Sequence, residues 1–186
     1  LKSMVDAFSD YARAPALRLQ PVNLSSLARE IAELFSVNEQ SIKVSVEVQA
    51  VPSLHLDSGR IRQLIVNLMK NAFESFSEDN KDRQVSLTVY LNESIAKNQE
   101  VVLSVSDTGP GIPNDILQSI FDPYVSSKKK GSGLGLSIVK KIVEEHSARV
   151  VATNNPHQGA KISIYFPAEA GVKQTIIQPA EVKHVA

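Results

Sequence analysis

The sequence contains no cysteine among its 186 residues, which excludes a disulfide framework, a thiolate nucleophile and a zinc site built on sulfur. Long hydrophobic runs are also absent, since none approaches the roughly 20 residues of a membrane-spanning helix. The first residues lack the basic and apolar blocks of a signal peptide. We therefore expect a soluble folded chain.

An excess of charge of one sign is lacking as well. Twenty Lys and Arg residues balance twenty Asp and Glu residues, so the formal net charge is zero. This balance removes any global electrostatic argument for binding nucleic acid or an anionic membrane, and an anionic ligand must be held locally. Hydrophobic residues make up 42% and charged residues 22%, as in ordinary globular domains. The length suits one large domain, with or without an appendage.

Hydrophobic periodicity predicts helices and strands in blocks. The helix near the start of the domain sets Leu24, Leu27, Ile31, Leu34 and Phe35 on one face, with Asn23 or Ser25 as its cap. The other predicted helices lie at 58–76, capped by Asp57, and at 134–146, with a short one through Ile116, Leu117 and Ile120. Strands are predicted at 42–48, 53–56, 85–91, 101–105, 149–154 and 161–166, with 53–56 a short companion of 42–48. This pattern indicates an α+β fold, a two-layer sandwich with a mixed sheet and helices on one face.

Two segments flank this pattern. Residues 1–12 carry a helical stripe, interpreted as the end of a longer helix from a bundle, with an ordinary packing helix as the alternative. Residues 15–22 are predicted to be a linker, and the tail from Ala168 onward is predicted to be loosely held because it shows no helical periodicity.

The first polar motif is VNLMKNAFES on the predicted helix 58–76. Asn67 and Asn71 are four residues apart and lie on one line at the border between core and solvent. Their amide oxygens suit a hard cation or its waters, because Mg²⁺ typically takes few protein ligands together with phosphates. The alternative is a pair of semi-exposed helical asparagines.

The second motif, SVSDTGPGIP, follows a predicted strand. Asp107 sits at a tight turn, where its carboxylate can accept a hydrogen bond from an exocyclic amine such as that of adenine. The two following glycines permit positive φ or close approach of a ligand to the backbone. The alternative is a plain Asx-turn.

The third motif, KKKGSGLGLSIVKKIVEEH, is the most specific. Gly131, Gly133 and Gly135 precede an amphipathic helix, so backbone N–H groups and a helix N-terminus are placed to hold phosphates. The spacing is neither that of the Rossmann fold nor that of the P-loop. Lys128, Lys129 and Lys130 add local positive charge, and the alternative for these lysines is a solvated loop.

The ordered set NLMKNA, DTGPGI, FDPYVSSK, GSGLGL and GAKISIYFP resembles the N, G1, F, G2 and G3 boxes of the sensor histidine kinase catalytic domain. The resemblance covers residues 22–167. It implies the Bergerat fold that this family shares with type II topoisomerase, Hsp90 and MutL ATPase domains. The opening MVDAFSDYARAP resembles the second dimerisation helix of NtrY-type nitrogen-regulation sensor kinases. The implied organisation is the end of a dimerisation helix at 1–14, the linker at 15–22, the catalytic domain at 23–167 and the tail at 168–186.

The resemblance also implies site residues and the cofactors ATP and Mg²⁺. Asn71 would bind Mg²⁺, with Asn67 nearby on the metal-phosphate group, and Asp107 would recognise the adenine amine. Glycines and the ATP lid would form the remainder of the site: Gly109 and Gly111 beside adenine, Phe121 to Lys128 at the start of the lid, Lys128 on a phosphate, and Gly131, Gly133, Leu134 and Gly135 over the phosphates. Gly159 would fit a tight approach between the last two strands.

Two departures from the family pattern bear on the reaction. The position that is a water-activating glutamate in hydrolysing relatives is Asn67, which cannot take a proton. None of His55, His146, His157 and His184 lies in the H-E/D-x-x-x-P context of a phosphoacceptor. We therefore expect the acceptor helix to lie before Leu1 of the parent protein.

The resulting expectation is a catalytic domain that transfers the γ-phosphoryl group of Mg-ATP to a histidine of its own dimerisation domain. The resemblance implies a homodimeric, inner-membrane sensor whose cytoplasmic portion includes this chain, a response regulator as partner, and no nucleic acid. One alternative is a regulatory nucleotide-binding module of a sensor that acts mainly as a phosphatase. The other is a hydrolysing Bergerat ATPase, which Asn67 disfavours.

Overall fold

A computed structural model describes residues 16–39, 41–77, 79–80, 82–93, 99–126 and 133–168. The described residues form three helices and seven strands. The helices are α1 (Leu24–Asn38), α2 (Ser58–Phe73) and α3 (Gly135–Glu145). The strands are β1 (Gln20–Val22), β2 (Lys43–Val48), β3 (Leu54–Leu56), β4 (Gln84–Glu93), β5 (Gln99–Asp107), β6 (Arg149–Asn154) and β7 (Ala160–Pro167).

Five strands form a mixed sheet in the order β2-β4-β5-β7-β6. The β2–β4 pair is parallel and the other pairs are antiparallel. The predicted strands 85–91 and 101–105 lie within β4 and β5, which pair as an antiparallel hairpin with Val85 opposite Asp107 at one end of the register. This pairing places Asp107 at the end of a central strand, where the chain leaves the sheet.

The helices pack on one face of this sheet, as predicted. Alternate residues of β4 and β5 point into one core with all three helices, since side chains on a strand alternate between faces. On α2 the predicted stripe is buried: Ile61, Leu64, Ile65, Leu68 and Ala72. Burial of apolar surface contributes about 25 cal/mol per Å² and is the main contribution to the stability of α2 on the sheet. It therefore fixes the position of the polar edge of α2, which carries Asn67 and Asn71.

Local signals located the helix starts correctly. Asn23 caps α1 through a 2.9 Å hydrogen bond from the Ser26 N–H, so the cap is Asn23 and not Ser25. The Asp57 carboxylate caps α2 by accepting the N–H groups of Gly59 and Arg60, each at 3.1 Å. The predicted start of the last helix differs from α3 by one residue, within the usual uncertainty of helix ends.

Several expectations were wrong. Strand β3 pairs with β1 and not with β2, and β1 lies within 15–22, the range predicted to be a linker. The short helix predicted through Ile116 to Ile120 is a series of turns closed by i→i+3 hydrogen bonds. Leu34 is 55% exposed, because the stripe of α1 that faces the core runs through Ala28 and Ala32 instead.

Ala168, predicted to begin a loosely held tail, is buried, and its N–H donates to the Gln99 carbonyl at 2.8 Å. The helix predicted within residues 1–12 and the remainder of the tail lie outside the described residues. Among the described residues, no helix is long and apolar enough to cross a membrane.

Candidate functional site

A cavity of about 570 Å³ opens between α2, the end of β5 and the start of α3. Its volume lies within the range of small-molecule sites in proteins. Three of the predicted motifs contribute to its wall, through Asn67, Asn71, Asp107, Gly111, Gly133 and Gly135. The fold therefore brings together residues that are up to 68 positions apart in the sequence (67 to 135).

Helix α2 presents Asn67 and Asn71 to the cavity from the polar border of its buried stripe. Both asparagines are half-buried. A Cβ atom added at Gly135 would lie 3.4 Å from Asn71 Nδ2, so the first turn of α3 abuts the Asn71 amide. Lys70 and Glu74 also line the cavity. Lys70, the neighbour of Asn71, was not predicted from the sequence as a site residue.

Asp107 is 8% exposed and its carboxylate is oriented by backbone donors. Its Oδ1 accepts the Gly109 N–H at 2.8 Å, which is the contact of the Asx-turn given above as the alternative, and lies 3.4 Å from the Ala160 nitrogen of β7. A Cβ at Gly109 would overlap Ser75 Oγ, which explains a glycine there. Gly109 itself does not line the cavity; it holds the carboxylate that does.

Gly159 has a φ of +93°, and an added Cβ would overlap the carbonyl oxygen of Asp107. The tight approach predicted at this glycine is therefore present. Its partner is the end of β5, however, and not the other strand of the β6–β7 pair. Only glycine adopts this conformation without strain and leaves room for the contact.

Polar side chains of the β6–β7 turn, which the sequence analysis missed, contact the loop that follows Asp107. Asn154 exchanges two hydrogen bonds with the backbone of Ile112, and Gln158 donates to the Thr108 carbonyl at 2.9 Å. The signal in the sequence was the run NNPHQG, which is rich in side-chain amides but otherwise reads as an ordinary turn.

The opposite wall of the cavity includes Gly133. The Tyr124 N–H donates to the Gly133 carbonyl at 3.1 Å, and both residues have positive φ, +66° and +67°. Phe121, predicted to contact the cofactor, packs against the hydrophobic core, whereas its neighbour Ile120 lines the cavity. Lys128 and Gly131 lie outside the described residues.

The base of α2 is joined to the end of α3 by a buried histidine. His146 Nε2 accepts the Asp57 N–H at 3.0 Å, while Nδ1 lies 2.7 Å from the Ile142 carbonyl. Both ring nitrogens of His146 therefore have backbone partners, one at the start of α2 and one in the last turn of α3. The pKa of Asp57 is lowered by a hydrogen bond from the Arg18 N–H, against an opposing effect of burial, and by the N–H groups and charge at the start of α2.

On the α2 side of the cavity, the oxygen donors for a cation are the amides of Asn67 and Asn71 and the carboxylate of Glu74. Among the described residues, no group of three or more His, Asp or Glu side chains is placed to hold a metal ion. The two asparagines on the cavity wall are hard oxygen donors, and such a sparse set suits a cation that keeps waters and phosphates as its other ligands. The residues present therefore fit Mg²⁺ bound together with a nucleotide.

Comparison with known proteins defines the class. Residues 56–170 match the HATPase_c family, described as histidine kinase-, DNA gyrase B-, and HSP90-like ATPase. The sensor histidine kinases ZraS of Klebsiella oxytoca and TmoS of Ectopseudomonas mendocina are 32% and 33% identical over 93% and 80% of this chain. An NtrY-like putative sensor histidine kinase of Rickettsia bellii is 33% identical over 91%. The chain spans 37%, 15% and 27% of these relatives, respectively.

Solved structures agree with this class. Full-length ShkA in complex with AMPPNP is 31% identical, with a TM-score of 0.74 over 89% of this chain and 35% of that chain. The histidine kinase ThkA in complex with the response regulator TrrA has a TM-score of 0.68 over 89% of this chain and 46% of that chain. At 24% identity, the ThkA complex supports the fold alone.

The chain belongs to the family of histidine kinase-, DNA gyrase B- and HSP90-like ATPases. Within this family it is the ATP-binding catalytic domain of a two-component sensor histidine kinase.

Proposed function

We propose that the cavity binds Mg-ATP and that the domain transfers the γ-phosphoryl group to a histidine on a dimerisation domain of the parent protein. The observation that supports this proposal is the common cavity. Asp107, Asn71 and Gly135 come from three separate motifs, and all three line it. A nucleotide needs such a combination, since its base, metal and phosphates require different partners.

Asp107 is the proposed adenine partner. A carboxylate only accepts hydrogen bonds when ionised, and the adenine 6-amino group only donates them. The Gly109 N–H, at 2.8 Å from Oδ1, holds this carboxylate in one orientation. A preoriented acceptor loses less entropy on binding, so it discriminates between bases more sharply.

The start of α3 is the proposed phosphate site. Leu134, at the N-cap, provides no side-chain cap, so the first N–H groups of the helix are not satisfied in that way. Phosphates bind well at such a position, because the N–H groups and the helix dipole both favour negative charge. Gly133 and Gly135 would let the phosphates approach the backbone. Gly131 and Lys128 stay predictions for the same phosphates.

Asn71, with Asn67 one turn earlier, is the proposed Mg²⁺ contact. When bound and held by these asparagines, Mg²⁺ would offset the negative charge that develops on the phosphates during transfer. Asn71 would hold the metal-phosphate group through its amide oxygen, and the neighbouring first turn of α3 would keep this side chain in place.

The transfer itself requires little acid-base chemistry from this domain. The acceptor imidazole nitrogen attacks the γ-phosphorus, the bond to the β,γ-bridging oxygen breaks, and ADP leaves. Imidazole is already a nucleophile, so the contribution of the domain is positioning and charge. Asn67 cannot activate water as a general base, which favours transfer over hydrolysis.

The partners of the parent protein follow from resemblance. The proposed parent is a homodimeric, membrane-anchored sensor that uses a response regulator, the kind of partner with which ThkA was crystallised. The finer assignment to the NtrY type has support from the opening MVDAFSDYARAP and from the Rickettsia bellii relative. The ZraS and TmoS relatives are equally similar, so we propose the NtrY type only as a subgroup to test.

Calorimetric titration with ADP tests the nucleotide site. We expect Asp107→Asn to weaken binding by about 1.5–3 kcal/mol, because a charge-assisted hydrogen bond is lost. Asp115→Asn, at an exposed position in the following turns, is the matched control and should bind as wild type does. Equal affinities of wild type and Asp107→Asn would remove Asp107 from the site.

Incubation with γ-labelled ATP and a dimerisation domain that carries the acceptor histidine tests the transfer. Label should appear on the dimerisation domain and not on this chain, slowly, because lost positioning reduces the rate by powers of ten. Stable phosphohistidine on this chain would overturn the proposed acceptor. Rapid release of free phosphate would favour the hydrolysing ATPase, and nucleotide binding with no transfer would favour the regulatory module.

A further inference from the structure

The loop from Asp107 to Ile112 forms one wall of the cavity and crosses the turn between β6 and β7. Asn154, at the end of β6, binds the backbone of Ile112 in both directions. Its Nδ2 donates to the Ile112 carbonyl at 2.8 Å, and its Oδ1 accepts the Ile112 N–H at 2.7 Å. Because both groups of one peptide-like side chain are used, the position and the plane of the Ile112 backbone are set together.

The same turn contacts the beginning of the loop. Gln158 Nε2 donates to the Thr108 carbonyl at 2.9 Å, and Asn155 Nδ2 lies 3.0 Å from Ser106 Oγ and 3.1 Å from the Asp107 carbonyl oxygen. The turn therefore contacts the loop at Thr108, before Gly109 and Gly111, and at Ile112, after them. Side-chain amides, and not a neighbouring strand, bind these backbone groups of Asp107, Thr108 and Ile112.

Two glycines allow the turn and the loop to approach so closely. Gly111 has a φ of +81°, and an added Cβ would lie 2.9 Å from Asn154 Oδ1. Gly159 faces the Asp107 carbonyl in the same manner from the other side. Glycine thus leaves room for the close approach in both segments, at Gly111 in the loop and at Gly159 in the turn.

Asn154 is exposed, so its contribution to the core is small. Exposed hydrogen bonds of this kind add little to global stability. Ile112 and Gly111, in contrast, line the cavity directly. Loss of the Asn154 contact should therefore alter the shape of the wall beside Asp107 more than it alters the free energy of unfolding.

We propose that Asn154 is a positioning residue for base recognition: its side-chain amide holds the Asp107–Ile112 loop in the form that selects a 6-aminopurine. The inference rests on the proposed function of the cavity as a nucleotide site. It adds a specificity determinant outside the five motifs, in a turn that does not line the cavity. It also assigns the selection of the base to the loop as a whole, and not to Asp107 alone.

The test compares ADP with inosine diphosphate, which has a carbonyl in place of the 6-amino group. Asn154→Asp is nearly isosteric; it can still accept from the Ile112 N–H but places an oxygen against the Ile112 carbonyl. We expect ADP affinity to fall about tenfold, the effect of one lost hydrogen bond and one uncompensated acceptor, with inosine diphosphate affinity nearly unchanged. The preference for ADP should therefore shrink.

Two further variants keep the result interpretable. His157→Ala lies in the same exposed turn and takes part in none of these hydrogen bonds, so it should keep the wild-type preference. Asn154→Ser retains a hydroxyl that can make one of the two bonds, and we expect an intermediate preference; it also replaces Asn154→Asp if that variant fails to fold.

Each outcome has a distinct meaning. A preference for ADP that shrinks in the order Asn, Ser, Asp at an unchanged melting temperature supports the inference. Wild-type preference in a folded Asn154→Asp or Asn154→Ser protein overturns it and leaves the proposed function intact. Equal losses for ADP and inosine diphosphate also overturn it, since they show a structural role. Absence of ADP binding by wild type overturns the proposed function, and this inference with it.

Discussion

The two walls of the cavity are held in different ways. The wall that carries Asp107 is bound by side-chain amides of the β6–β7 turn, with hydrogen bonds of 2.7–2.9 Å from Asn154 and Gln158. At the wall that includes Gly133, the Tyr124 N–H donates to the Gly133 carbonyl, and the exposed Lys140–Asp122 ion pair joins α3 to the residues just before Tyr124.

This difference fits the tasks proposed for the two walls. Base recognition requires an acceptor at one position, and preorganisation increases both affinity and selectivity. Phosphate binding at a helix N-terminus depends on N–H groups that α3 already aligns. We therefore expect substitutions at the Asp107 wall to have large effects and substitutions at the Gly133 wall to have small ones.

The largest effect on the free energy of unfolding is expected from Gly159→Ala, which would disrupt the packing of the wall that carries Asp107. The new methyl group would overlap the Asp107 carbonyl at a φ that alanine adopts only with strain. We expect a loss of about 3 kcal/mol in the free energy of unfolding, from strain and overpacking together. Urea denaturation measures it. Gly59→Ala, where an added Cβ meets only ordinary contacts in α2, is the control and should be neutral or slightly stabilising.

Asn71→Ala should have a smaller effect than Gly159→Ala, and the effect should be on binding and not on folding. Removal of the amide should abolish the gain in ATP affinity on adding Mg²⁺, a change of tenfold or more if about 1.5 kcal/mol is lost. ATP titrations with and without Mg²⁺ measure it, and circular dichroism checks the fold. Asn38→Ala, on the exposed end of α1, is the control. A variant that retains the full Mg²⁺ effect would show that Asn71 has no part in binding the metal.

Asp57→Ala tests the base of α2, which supports both walls. Loss of the cap should reduce the free energy of unfolding by about 1 kcal/mol at pH 7. The folded pKa of Asp57 is lowered, so its contribution is present above the unfolded pKa of about 3.9 and is lost as the pH falls through the folded value. Urea denaturation of both proteins between pH 7 and pH 3 should show the difference shrinking in acid. A constant difference would assign the effect to packing.

Lys140→Ala should have the smallest effect. Lys140 and Asp122 are 3.6 Å apart, with side chains 45% and 56% exposed. Exposed ion pairs contribute about 0–1 kcal/mol, and we expect a change in the free energy of unfolding of less than 0.5 kcal/mol. The measurement is urea denaturation at low and high salt. A loss as large as that expected for Gly159→Ala would contradict the contrast between the two walls.

The parts of the fold that were predicted correctly depend on neighbours in the sequence. The buried stripe of α2 arises from a helical period, its Asp57 cap from a side chain that reaches nearby N–H groups, and strands β4 and β5 from the alternation of apolar and polar residues. The wrong partner assigned to β3 arose because strand pairing is non-local: Val22 and Leu54 are brought together by packing across the intervening helix and strand.

The candidate site also combines features set by neighbours in the sequence with features set by distant residues. The motifs, together with the two asparagines four apart on a helix, predicted residues that the structure brings to one cavity, because each motif has a local signal of its own. The Phe121 prediction is different: this side chain turns toward the core, which no short-range pattern indicates.

The amide contacts of Asn154 join residues 42 positions apart, and the Asp107–Ala160 contact spans 53 positions. The local sequence of such a turn is compatible with many partners, since Asn and Gln donate and accept in any polar setting. The sequence alone thus set the helix caps, the apolar faces and the glycines of this protein. Only the tertiary structure decided which turn meets which loop, because that contact forms when the sheet brings the ends of β5, β6 and β7 together.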